Sequence, residues 1–121
     1  MLFVSKSRIR GAGNGVFART DILSGIKLGT YTGNKISYEK YSSLRDKSYI
    51  WQINDNLFMD GHPKHEACGL LSYVNGAKTP TQRRKINTRA YIHRQNIHYK
   101  TITSVKKGDE IIVDYGEFYW I

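Results

Sequence analysis

Residues 111–120, IIVDYGEFYW, begin as a strand and finish as something else. Ile111, Ile112 and Val113 carry the branched apolar side chains of a buried strand. Asp114 and Tyr115 then set an acid beside a phenol, Gly116 offers a turn, and Phe118, Tyr119 and Trp120 gather rings at the end. A core strand does not need that ending. A wall that must be apolar yet carry a hydroxyl does, because a tyrosine ring excludes water while its O–H orients a polar group. The chain has nine tyrosines. Strand edges and core corners also use tyrosine, so composition alone leaves both uses open.

At 121 residues the chain is one ordinary domain, long enough to bury roughly 65% of its unfolded surface. Its one cysteine, Cys68, excludes an internal disulfide and a cysteine-rich zinc module, and fits a reducing compartment. No apolar run approaches the ~20 residues of a membrane span, and the opening MLFVSKSRIR is too briefly apolar for a signal peptide. A soluble intracellular protein with no membrane partner is expected. Lysine and arginine number 19 against 10 acids, a net charge of +9 and a pI near 9.7. That balance favours an anionic partner such as nucleic acid or a nucleoprotein. The run Gln82-Arg83-Arg84-Lys85 serves such a partner or is simply a solvated loop.

Outward from the C-terminal stretch, the pattern predicts short strands at 16–18, 27–31, 49–53, 57–60, 87–93, 96–102 and 110–115. Arg94-Gln95 joins one hairpin, Asn54-Asp55-Asn56 another, and Lys106-Lys107-Gly108-Asp109 forms a turn. Residues 36–45 read as a weak helix or loop, 66–74 as a short helix or turn, and 77–85 as a surface loop. No repeat and no linker interrupts them. Many short strands with little helix make a mostly β, α+β domain.

Several familiar sites are absent. Gly13-Asn14-Gly15 is a turn or a place where backbone approaches a ligand, but it lacks the third glycine and following helix of a dinucleotide fingerprint and the Gly-Lys-Ser/Thr end of a phosphate loop. His62, His65 and Cys68 share a three-residue spacing without a fourth ligand for tetrahedral zinc, so no metal is assigned. No Gly-x-Ser-x-Gly nucleophile elbow occurs.

Taken in order, these segments resemble the SET-domain protein lysine methyltransferases, and in detail their PR-domain branch. GNGVFA at 13–18 resembles the family's Gly-x-Gly opening, and Gly25 through Gly33 the G-x-x-x-x-x-Y-x-G segment that follows. Tyr49-Ile50-Trp51 with Asp60-Gly61 resembles the branch's Y-x-W strand and D-G return. SYVNGA at 72–77 resembles R-Y-V-N-x-A more closely than the R-F-x-N-H-S of most SET proteins. Asn87 matches the asparagine ending that motif, IHYKTITSVKKGDEII the hairpin and its approach, and Asp114-Tyr115-Gly116 with Tyr119 the terminal x-Y-G-x-x-Y.

The resemblance implies a single SET domain over 1–121, with small curved sheets, a C-terminal segment threaded through a loop as a pseudoknot, and no pre-SET or zinc post-SET module. It implies S-adenosylmethionine as cofactor. Gly13, Asn14 and Gly15 would meet its methionyl part, Asn75 its amino group, Tyr119 or Trp120 its adenine, and Tyr31 and Tyr73 would stand among the cofactor residues. Tyr115 would be the catalytic tyrosine, with Tyr49 and Tyr99 completing a lysine channel. The implied substrate is a histone tail or another basic lysine-containing protein, with nucleosomal DNA as a further contact. The implied location is the nucleus, a host nucleus if the protein is viral, or the cytoplasm. Small viral SET proteins suggest by analogy a homodimer, in which Phe118 to Ile121 or a second copy closes the tunnel.

Three departures accompany the match. The branch's arginine before Y-V-N is Ser72, its tryptophan two residues earlier is Leu70, and the histidine of typical SET proteins is Gly76. Two other classes compete: a PR-like histone or nucleic-acid binding module with little turnover, and a small β nucleic-acid binder using exposed aromatic rings.

Overall fold

The computed structural model describes residues 1–115. Ten short strands form three small sheets. The first pairs β1 (Leu2–Lys6) with β2 (Asn14–Ala18), antiparallel. The second holds β4 (Asn34–Ser37), β6 (Leu57–Asp60) and β5 (Ile50–Asn54) in that order, with β6 in the middle. The third is ordered β3 (Lys27–Tyr31), β9 (Asn96–Thr101), β8 (Thr88–His93), β10 (Ile112–Asp114), β7 (Asn75–Gly76). Helix is scarce: α1 (Tyr38–Ser43), a 3₁₀ turn at Leu70–Tyr73, and α2 (Pro80–Arg83). The mostly β class expected from the sequence is the class observed.

Each element follows from its residues. Asn14–Ala18 is buried over its last four positions and packs Val16 and Ala18 into a core with Ile22, Leu28, Ile97, Val105, Ile111 and Val113. The β8–β9 turn places Arg94 at φ 51° and Gln95 at φ 62°. Two consecutive left-handed residues match the right-handed strand twist and so hold the hairpin register.

The third sheet determines the site. Strand β10 lies between β7 and β8 and runs parallel to both, pairing Ile112 with Asn75 and Val113 with Thr88. Residues 77–87 connect β7 to β8 across the position of β10, the last strand among the described residues. Asn87 pins it. Its buried side chain donates Nδ2 to the Glu110 carbonyl at 2.9 Å, and its Oδ1 accepts from the Ile112 amide and the Thr88 hydroxyl, each at 3.0 Å. Antiparallel neighbours would satisfy one another's backbone, whereas a strand inserted between parallel neighbours has ends that a side chain must complete.

Four elements escape the sequence pattern, among them the two-residue β7, which forms where β10 offers it a partner. Leu2–Lys6 shows no alternation yet forms β1, where Phe3 stacks on Phe17 with ring centroids 5.6 Å apart. Asn34–Ser37 forms β4 ahead of α1 because β6 offers a free edge there. Within the expected 77–85 loop, Thr79 and Gln82 close a capping box with Pro80 in the first turn, making α2. Among the described residues no helix is long and apolar enough to cross a membrane.

Replacing Asn87 by alanine leaves the Ile112 N–H and the Glu110 carbonyl buried without their partner. The variant should unfold about 2–4 kcal/mol more easily, read from the urea midpoint at unchanged m-value.

Candidate active site

A cavity of about 620 Å³ opens where the first and third sheets meet, lined by Gly13 and Asn14 of β2, Tyr49, Ser72 and Tyr73, Asn75 of β7 and Tyr115. Cofactor pockets typically enclose about 300–1,000 Å³. Seven of the expected site residues come together here: six line the cavity, and Gly15 lies directly behind its wall.

Glu110 organises one side. Its carboxylate is buried and accepts from the Ser7 hydroxyl at 2.7 Å, the Arg8 amide at 2.9 Å and the Asn75 Nδ2 at 3.2 Å. Asn75 Nδ2 also donates to the Asn14 carbonyl at 2.9 Å. Both partners of that nitrogen are pure acceptors, which fixes the orientation of the amide and leaves Oδ1 as the acceptor. An oxygen acceptor at this position suits an ammonium group. Gly15 is explained by the same carboxylate: a Cβ there would lie 2.4 Å from Glu110 Oε2. The second glycine of Gly13-Asn14-Gly15 thus makes room for the protein's own acid rather than for a ligand. Gly13, at φ +72° with open space around it, is required by backbone conformation.

The other side is aromatic. Tyr115 donates its hydroxyl to the Val74 carbonyl at 3.0 Å, and its ring lies 5.3 Å from Trp51. Trp51 Nε1 donates to the Tyr99 hydroxyl at 2.8 Å. Tyr99 stacks on Tyr31 at 5.8 Å, and Tyr31 donates its own hydroxyl to the Tyr49 carbonyl at 2.6 Å. Two glycines admit these rings. A Cβ on Gly76 would stand 2.0 Å from the Tyr115 ring, and one on Gly61 2.4 Å from Tyr31. The replacement of the usual SET histidine by Gly76 is therefore what seats Tyr115 against β7.

The structure places two of the expected residues away from the cavity wall. Tyr31 is 3% exposed and donates its hydroxyl to the Tyr49 carbonyl, so it packs in the core behind the cavity. Tyr99 is fully buried and does not line the cavity; it reaches Tyr115 through Trp51. Tyr119 and Trp120, with the rest of the proposed closure at 118–121, lie outside the described residues. His62 and His65 serve separate carboxylates, His65 pairing with Asp60 at 3.0 Å and His62 approaching Asp46 at 3.8 Å, while His62 also abuts the Tyr49 ring at 4.8 Å. Asp46 precedes Tyr49 in a turn where the Ser48 hydroxyl and amide hold its carboxyl below the usual range.

Sequence reasoning missed Glu110 and Val74 and used Trp51 only as a motif letter. Glu110 stands in a plain solvent-turn context, KKGDEI, so nothing local marks it. Ser72, where the PR branch has arginine, is 6% exposed and its hydroxyl has no hydrogen-bond partner among the described residues. Leu70, in place of tryptophan, is 37% exposed.

Three small sheets with β10 inserted between β7 and β8, and a cavity joining a glycine turn to a tyrosine, define a SET-type domain. Comparison with known proteins agrees. Residues 2–120 match the family model described as PR domain zinc finger protein 2, PR domain. The chain belongs to this PR-domain family of SET proteins. It is 31% identical over 110 residues to PR domain zinc finger protein 14 of Mus musculus, covering 87% of this chain and 18% of that protein. It is 26% identical over 119 residues to Histone-lysine N-methyltransferase set-17 of Caenorhabditis elegans, covering 96% and 41%. The chain thus spans less than half the length of these curated relatives. Among solved structures, the methyltransferase domain of human PR domain-containing protein 2 superposes with TM-score 0.75 at 24% identity, covering 97% of this chain and 78% of that one. The ctPRC2 complex in an autoinhibited conformation bound to S-adenosylmethionine superposes with TM-score 0.78 at 24% identity, covering 95% and 15%.

Two substitutions test these packing assignments. Gly15→Ala should destabilise by about 1–3 kcal/mol through overpacking, and become neutral or stabilising in a Glu110→Ala background, read as a double-mutant cycle in urea. Ser72→Ala removes an orphaned hydroxyl and should be neutral or raise stability by up to about 1 kcal/mol, read as a shift in melting temperature.

Proposed function

We propose that the chain is an S-adenosylmethionine-dependent protein lysine N-methyltransferase, acting in the nucleus on a histone tail or another basic lysine-containing protein. The observation that carries this reading is the convergence of the Asn75 acceptor, the Gly13-Asn14 backbone and the Tyr115 phenol on one cavity. The families of its relatives, one of them bearing the name histone-lysine N-methyltransferase, support the same reaction class.

The residues present fit the cofactor. Asn75 Oδ1 would accept from its amino group, the 13–14 backbone would flank the methionyl part, and Tyr73 would add an apolar wall. When bound, S-adenosylmethionine supplies a methyl group on a positively charged sulfonium. The chain's own task is to present a neutral amine in line with it. A free lysine has a pKa near 10.4, so its neutral form costs about 4–5 kcal/mol at pH 7. An apolar channel wall of Tyr49 and Tyr115 disfavours the ammonium by desolvation. Tyr115 donates a hydrogen bond to the Val74 carbonyl, which fixes its position and turns the lone pairs of the phenol oxygen toward weak C–H contacts. Trp51 and Tyr99 hold the ring from behind. Alignment, with no covalent enzyme intermediate, provides the rate.

A second reading, a PR-type module with weak turnover, is favoured by one observation: Ser72 leaves an unsatisfied hydroxyl at the cavity wall where the branch places arginine. Melting with and without S-adenosylmethionine, followed by radiolabelled transfer to core histones, separates the two. The enzyme reading expects a raised melting temperature and transfer. The module reading expects the first without the second. Tyr115→Phe should keep the cofactor-induced melting shift while lowering kcat about 10²-fold; turnover equal to that of the unsubstituted chain would refute the role of its hydroxyl.

A further inference from the structure

A second groove, of about 570 Å³, runs beside the cavity, and the function proposed above does not use it. It brings together cations from two stretches of sequence that are more than seventy residues apart: Arg8 and Arg10 from the N-terminal segment, Arg84 and Lys85 from the end of α2. Thr103 and Ser104 add hydroxyls to the wall. All four cations are solvent-exposed.

Two carboxylates also border the groove, one buried and one exposed. Glu110 is buried and accepts from Ser7, Arg8 N–H and Asn75. Asp109 accepts the Lys106 amide at 3.2 Å and so closes its own turn. No described carboxylate lies within ion-pair distance of Arg10, Arg84 or Lys85. The frame that carries them is ordered. Arg8 packs its guanidinium over the Phe17 ring at 5.6 Å and donates to the Gly108 carbonyl at 3.0 Å. Gln82 Oε1 accepts the amides of Lys78 and Thr79, which fixes α2 and the residues leaving it.

We propose that this groove is a binding site for the phosphodiester backbone of nucleic acid. Guanidinium forks and hydroxyls around a concave surface are the donors that bind phosphate oxygens, and a chain with a net charge of +9 is steered toward a polyanion by its whole field. A basic lysine-bearing substrate is repelled from the same groove, so the groove and the tyrosine channel take partners of opposite charge. An acidic peptide is the competing occupant, but hydroxyls beside the guanidinium groups and a net charge of +9 favour the more densely charged polyanion.

The test is fluorescence anisotropy of a labelled 20-base-pair DNA duplex and of a single-stranded RNA of equal length, titrated at several salt concentrations. Each phosphate contact contributes about 0.9 to the slope of log K against log salt on duplex DNA. Arg84→Ala/Lys85→Ala should therefore flatten that slope by about 2, and Arg84→Glu/Lys85→Glu should abolish specific retention. Lys35→Ala/Lys40→Ala, which removes the same charge from β4 and α1, should leave the slope unchanged. Flattening in either the DNA or the RNA arm supports the groove and names its source. Equal loss in both double variants, no saturable binding, or displacement by polyglutamate as effective as by unlabelled DNA would overturn it. The melting shift with S-adenosylmethionine is recorded on the same variants. Its absence from every one of them, the unsubstituted chain included, would remove the methyltransferase reading while leaving the groove's result intact.

Discussion

One buried carboxylate holds the cavity together. An acid removed from water is costly unless donors surround it, and Glu110 finds three of them on two segments: the Ser7 hydroxyl, the Arg8 amide and the Asn75 side chain. These donors lie at residues 7–8 and 75, so a single group ties the N-terminal loop to β7. The absence of a side chain at Gly15 then follows, because Oε2 occupies the space a Cβ would need. The Asn75 amide is oriented by the same contact. A ligand-facing acceptor is thus set by a charge that faces away from the ligand.

The opposite wall depends on packing instead of charge. Tyr115, Trp51, Tyr99, Tyr31 and Tyr49 are linked in sequence by ring contacts and hydroxyl or indole hydrogen bonds. Each buried phenol in this series has a partner, which is the condition for a tyrosine to stay in a core. Because the rings abut one another, a shift of Tyr99 or Tyr31 is transmitted to Tyr115 and Tyr49 even though neither borders the cavity. Gly76 and Gly61 permit that close assembly. The PR branch's loss of the SET histidine is, in this chain, a steric requirement of Tyr115.

Charge is distributed by function rather than evenly. The aromatic wall and the core carry none, Glu110 and Asp60 are buried with hydrogen-bond partners, and four of the chain's cations rim a groove next to the cavity. Arg10 borders both that groove and the cavity, and Lys78 lines the cavity as well. The orphaned Ser72 hydroxyl marks a place where the pattern of the branch is broken without compensation in the described residues.

Much of this was legible in the residues. Local rules determined the strands at 27–31, 57–60, 88–93 and 96–101, the Arg94-Gln95 turn and the mostly β class, because side-chain branching and turn chemistry act over a few residues. The order of short motifs identified the SET resemblance, and with it Tyr115, Asn75, Tyr49 and Gly13 as neighbours. Other features required the tertiary structure. Strand β1 exists only because β2 offers it a partner, and β4 only because β6 does. Tyr31 and Tyr99 have the same composition and local pattern as the tyrosines that line the cavity; only the sheet register shows that they lie beneath it. Glu110 in KKGDEI and the pair Arg84-Lys85 look like surface polarity when read along the chain. The first becomes a buried hub and the second half of a cationic groove because both roles arise between segments more than seventy residues apart, a distance over which sequence pattern carries no signal.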